Sequence, residues 1–149
     1  LRDYYVAAPF RPQHVEAFSN WFDKLAGLGG DEAALVNCAA GKDRTGMLCA
    51  LTHHILGASN DDIFEDYELT NSAAGVDTRL PEAQTYFNNL LGKSYDAEVY
   101  RPFLGVDPDF LRAALKSIEA EAGSVDIYLV DVLGVDDAKQ SAIRARLLD

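Results

Sequence analysis

From Pro12 to Ala26 the apolar residues Val15, Phe18, Trp21, Phe22 and Leu25 recur every three or four positions. That period predicts an amphipathic helix with one buried stripe, stopped by Gly27. Its aromatic residues read as core rather than as a ligand cage. After the turn-forming Gly29-Gly30-Asp31, the three-residue run Ala34-Leu35-Val36 reads as a short buried strand, ending at Asn37. Helical periodicity resumes from Arg44 to Leu56, with Gly57 as its stop. Ser59 or Asn60 then caps a further helix, with Asp61 and Asp62 in its first turn, where negative charge suits the helix dipole.

Asn71 to Arg79 is polar and aperiodic, and is expected to form an irregular segment bordering the site. Arg79 is its candidate substrate contact, although a loop arginine is by default a surface residue. Pro81 is expected to open a helix to Leu91. Asp107-Pro108 has the N-cap and first-turn signature of another, with Phe110, Leu111, Ala114, Leu115 and Ile118 on its apolar face and Gly123 as its end. Ser124 to Leu133 and Asp136 to Leu148 are expected as closing helices. No repeat or low-complexity linker interrupts the 149 residues, so one domain, 1–149, is expected.

The chemistry lies between the strand and the second helix, where Asn37 to Gly46 reads N-C-A-A-G-K-D-R-T-G. N–H groups at a helix start have no carbonyl partner inside the helix and carry the positive end of its dipole, so a loop entering a helix is an anion site. Ala39, Ala40 and Gly41 are small enough to curl around phosphate oxygens, and Gly41 can supply the positive φ of such a nest. Arg44, six positions after Cys38, offers a planar fork for two oxygens. Cys38 at the floor of that field is expected to be a thiolate nucleophile. Thr45 can donate to its sulfur, and Asp43 can protonate a leaving alcohol or phenol. Gly41 and Gly46 also match the spacing of a nucleotide P-loop, but Met47 and Leu48 stand where that motif needs lysine and a hydroxyl.

Composition narrows the reading. A hydrophobic fraction of 48% is enough for one core, and no stretch reaches the ~20 apolar residues of a membrane span. The net charge of −11 argues against nucleic acid, while screening over about 8 Å lets Lys42, Arg44 and the loop amides dominate locally. Two cysteines make no disulfide framework, and Cys49 reads as a buried, inert thiol. His53 and His54 sit at the far end of their helix without ligand-type neighbours, so no metal and no cofactor is expected.

The loop resembles that of the bacterial tyrosine phosphatases with the H-C-x-x-G-K-D-R-T-G signature, an atypical cysteine-phosphatase group with dual-specificity and phosphoinositide-phosphatase members. Asp66-Tyr67-Glu68-Leu69-Thr70-Asn71, Gly105-Val106 to Leu111, Gly123-Ser124 to Leu129 and Leu133-Gly134-Val135 are similar to later segments of that family. The resemblance implies an α/β fold, a parallel sheet flanked by helices, of which this chain is mostly the helical C-terminal part. It implies Cys38 as nucleophile, Arg44 as phosphate clamp, Asp43 as acid/base and Lys42 as an added phosphate or inositol-phosphate contact. The family's histidine before the cysteine is Asn37 here, whose amide is expected to brace the loop less tightly.

The resulting expectation is hydrolysis of a phosphomonoester, on phosphotyrosine, phosphoserine or phosphothreonine, or a phosphoinositide. The alternative is a silent phosphate-binding module. A single strand cannot satisfy its own backbone, so strands are expected from a separate N-terminal fragment or a second copy. A cytoplasmic location is expected, or secretion if such an N-terminal part carried a signal.

Overall fold

The computed structural model describes residues 1–148, and its described residues are almost entirely helical. The chain opens with α1 (Arg2–Ala7), which runs into a 3₁₀ turn at Ala8–Phe10. Pro12 then fills the first position of α2 (Pro12–Ala26), where a missing N–H costs nothing, and Gly27 ends it. Phe18, Phe22 and Leu25 are buried along the predicted stripe.

The next helix, α3 (Asp43–Leu56), is the centre of the molecule. It packs against α4 (Asn60–Ala73), α7 (Pro108–Ala122) and α9 (Asp137–Leu147), and so carries apolar residues on several faces, with Met47, Leu48, Leu51 and Ile55 buried. Gly57, at φ +82°, closes it in a left-handed turn that a side chain would strain. The Ser59 hydroxyl accepts from the Asp62 N–H and starts α4 as predicted. Asp107 caps α7 in the same way. The short α8 (Val125–Ile127), capped by Ser124, continues as a π turn over Tyr128–Val132, and Asp136 caps α9. α1 lies along α7, and places Tyr5 in the core.

Three expectations are corrected. Ala34 to Asn37 is not a strand, and the parallel sheet of an α/β fold is absent among the described residues. The segment has no regular structure and lies open, with Leu35 91% exposed. A strand is defined by its neighbours, and no described segment lies alongside to exchange hydrogen bonds with residues 33–37.

The second correction concerns Asn71 to Arg79, which is helical apart from a break at Ala74-Gly75: α4 runs to Ala73 and α5 (Val76–Leu91) begins at once. Gly75, at φ +58°, makes the turn. Third, Pro81 lies inside α5 instead of opening it. Val76 and Leu80, four residues apart, are 1% and 4% exposed, and burying that pair draws the preceding turn into the helix despite the proline. A 3₁₀ turn at Ala97–Tyr100 and the single-turn α6 (Arg101–Leu104) follow.

An interior proline loses one backbone bond and crowds the carbonyl four residues earlier. Pro81→Ala is therefore expected to stabilise the protein by about 1–3 kcal/mol in urea unfolding. Were Pro81 at a helix start, the same change would be neutral or destabilising.

Candidate active site

Chain without regular structure from Ala33 to Asn37 leads to Cys38 ahead of α3, and the loop then folds back on itself. The Cys38 N–H donates to Thr45 Oγ1 at 2.9 Å, and the Gly41 N–H donates to the Cys38 carbonyl at 3.1 Å. Gly41 takes φ +66°, the conformation expected of it in a nest. Burial works against a charged sulfur here. The Thr45 hydroxyl and the backbone N–H groups of Thr45, Ala40 and Lys42 outweigh it, and lower Cys38 to about 6. The thiolate is thus the main form at neutral pH.

Arg44 is half-buried, and no carboxylate among the described residues pairs with its guanidinium. It joins Asn37, Cys38 and Thr45 in lining a cavity of about 1030 Å³, whose far side is formed by Phe18 and Trp21 of α2. An unpaired guanidinium beside a thiolate, over a ring of amides, matches the charge and shape of a tetrahedral oxyanion. Ala39 and Ala40 are exposed at the loop surface. Asn37 is exposed too, and its amide donates to the Cys38 carbonyl at a long 3.4 Å.

Lys42 and Asp43 are held from the other side of the loop, Lys42 buried and Asp43 partly exposed. The Lys42 ammonium is buried, donating to the carbonyls of Pro102 (2.9 Å) and Gly105 (2.7 Å), and stands 3.3 Å from Asp43 Oδ2. Asp43 Oδ1 accepts from the Tyr5 hydroxyl at 2.6 Å, and that hydroxyl lies 2.7 Å from the hydroxyl of Tyr67. Lys42 thus reaches the sulfur through its backbone N–H, while its side chain ties the loop to the end of α6.

Gly46 has a steric reason to be glycine: a Cβ there would lie 2.5 Å from Cε2 of the Tyr67 ring. Gly105 has another, since its Cβ would lie 2.2 Å from Asn71 Oδ1. Asn71 clamps the backbone of Val106, accepting from its N–H at 2.8 Å and donating to its carbonyl at 3.1 Å.

Other candidates lie apart. Arg79 is exposed, with only a 3.5 Å contact to the Ala74 carbonyl. His53 and His54 face Asp66 and Asp126. Burial, with Asp66 nearby, pushes the Cys49 thiol up, keeping it protonated. Sequence reasoning missed Tyr5 entirely and left Tyr67 and Asn71 without roles. The stretch Asp66 to Asn71 was a signal for the latter two, but nothing local ties Tyr5 to a loop 38 residues away.

Comparison with known proteins accords with this geometry. The model of the tyrosine phosphatase family matches residues 1–149. A protein of Cupriavidus necator named "Putative tyrosine-protein phosphatase" is 34% identical over 134 residues, covering 90% of this chain and 46% of that protein. The "Triple specificity protein phosphatase PtpB" of Mycobacterium tuberculosis is 29% identical over 133 residues, covering 81% of this chain and 46% of its own length. The chain thus spans about half the length of the curated relatives it matches. With the family match running through the whole chain, it belongs to the tyrosine phosphatase family.

Proposed function

We propose that this site hydrolyses phosphomonoesters through a phosphocysteine intermediate. The observation that carries the reading is a cysteine lowered to about 6 inside a ring of N–H donors, beside an unpaired arginine. The Cys38 thiolate attacks phosphorus, and the bond from phosphorus to the leaving oxygen breaks as Asp43 hands that oxygen a proton. Amides of Ala39, Ala40 and Lys42 and the fork of Arg44 hold the remaining oxygens, whose charge grows in the transition state, while Gly41, its own N–H given to the Cys38 carbonyl, shapes the loop around them. Water then attacks the phosphocysteine, giving its proton to Asp43. The P–S bond breaks and phosphate leaves, while the Thr45 hydroxyl stabilises the departing sulfur.

The substrates that fit are phosphotyrosine, phosphoserine or phosphothreonine, and phosphoinositides, all presenting the same phosphate dianion to the loop. A name such as "Triple specificity protein phosphatase" in a relative supports breadth of this kind. Within the described residues no helix is long and apolar enough to cross a membrane. The open segment 33–37 we read as a strand edge that takes neighbours from elsewhere in the polypeptide or from a second copy. Leu35 at 91% exposure supports this reading.

Cys38→Ser is expected to abolish turnover of p-nitrophenyl phosphate while vanadate binding persists, whereas a silent binding module would show no turnover before the change either. Alkylation of Cys38 by iodoacetamide should rise with pH through a midpoint of about 6, because only the thiolate reacts and it is lost as pH falls through that value. Asn37→His should move the midpoint lower, and an unmoved midpoint would mean that position 37 does not tune the sulfur. Amide hydrogen exchange on the intact protein should find residues 33–37 protected; rapid exchange there would overturn the strand-edge reading.

A further inference from the structure

Two tyrosines stand behind Asp43, and catalysis as derived so far does not use them. Tyr5, from α1, is fully buried, and Tyr67, from α4, nearly so. Each hydroxyl has one proton to give. When Asp43 is ionised, the form that takes the proton from water in the second step, its oxygens only accept, so the Tyr5 proton goes to Asp43 Oδ1 and the Tyr67 proton goes to the Tyr5 oxygen. The donor chain therefore runs one way, from Tyr67 through Tyr5 to Asp43.

Both rings are held against movement. Tyr5 packs edge-on against Tyr4, with ring centres 5.8 Å apart, and lies 5.4 Å from Phe110. The Tyr67 ring is seated on Gly46, in the space a Cβ would fill. Burial pushes both phenols up, so neither loses its proton at working pH. Opposite them, Lys42 stands 3.3 Å from Oδ2, its ammonium itself fixed by the carbonyls of Pro102 and Gly105. The carboxyl of Asp43 is thus gripped at both oxygens by partners that cannot swing away.

We propose that Tyr5 and Tyr67 are positioning residues for Asp43: they hold its carboxyl in one rotamer, from which it exchanges a proton with the leaving group. This rests on the acid/base role given to Asp43 above. Proton transfer needs the two oxygens within hydrogen-bond reach, and a freely rotating carboxyl spends little time there. The pair also accounts for two sequence features at once, Tyr67 in the Asp66–Asn71 stretch and glycine at position 46.

The test compares kcat/KM, which reports the steps up to phosphocysteine, on an alkyl phosphate such as phosphoserine and on p-nitrophenyl phosphate. Only the alkyl leaving group depends strongly on a donated proton. Tyr5→Phe, which removes one oxygen and keeps the ring, should lower kcat/KM about tenfold on the alkyl substrate and leave the aryl one within about twofold. Tyr67→Phe should give a smaller loss of the same kind. Added to Asp43→Asn, Tyr5→Phe should do nothing further, since the group it positions is gone. If Asp43→Asn is selective but Tyr5→Phe slows both substrates alike, the tyrosines are merely structural and the proposal falls alone. If Asp43→Asn is itself unselective, the acid/base assignment falls and takes the proposal with it. A readout independent of turnover is the proton NMR of the intact protein. It should show a low-field hydroxyl resonance that disappears in Tyr5→Phe and shifts in Tyr67→Phe; its absence from the unmodified protein would overturn the proposal.

Discussion

The first N–H groups of α3 have no carbonyl to bond within their own helix, and the site is organised around that deficit. Where a chain enters a helix from a wide curve, these donors converge on one point. Here the point is the sulfur of Cys38, which receives the first-turn N–H and the hydroxyl of Thr45, joined by N–H groups of Ala40 and Lys42 from the loop just before the helix. Removing a thiol from water favours its neutral form, so the donors must overcome burial before they create a nucleophile. Arg44 lines the same cavity without a carboxylate partner among the described residues.

Such a field is useful only if the donors stay still, and the core supplies the stiffness. α3 is packed by α4, α7 and α9, with Met47, Leu48, Leu51 and Ile55 locked among them. At its entrance, Lys42 is buried behind the loop and Asp43 stands beside it, partly exposed. A buried ammonium is costly unless its protons are satisfied. The carbonyls of Pro102 and Gly105 and the Asp43 carboxylate meet that demand. Adjacent loop residues thus serve two environments: Cys38 and Arg44 line the cavity, while Lys42 and Asp43 anchor the loop to α1, α4 and the end of α6.

What could be read in the chain was whatever depends on near neighbours. The stripe of α2, the caps at Ser59 and Asp107, the stops at Gly57 and Gly123 and the positive φ of Gly41 all follow from residues a few positions apart, and all appear where expected. Features set by distant partners were misjudged. Val36 and its neighbours have the composition of a strand, but strand identity belongs to a pair. Pro81 has the composition of a helix start, yet the burial of Val76 and Leu80 overrides it. Tyr5 and Asp43 meet across 38 residues and Tyr5 and Tyr67 across 62, with no local pattern to announce either contact.

The seat of the Tyr67 ring on Gly46 makes two positions into one unit of sequence change. A methyl group at 46 would need to displace an aromatic ring in a nearly closed core, an overpacking that costs roughly 1–3 kcal/mol. Shrinking residue 67 would relieve the crowding, but would also take away the hydroxyl that reaches Tyr5. Each change thus closes the path by which the other could be tolerated. Drift through this part of the molecule is confined to sequences that keep both residues, although one lies in the first turn of α3 and the other in α4.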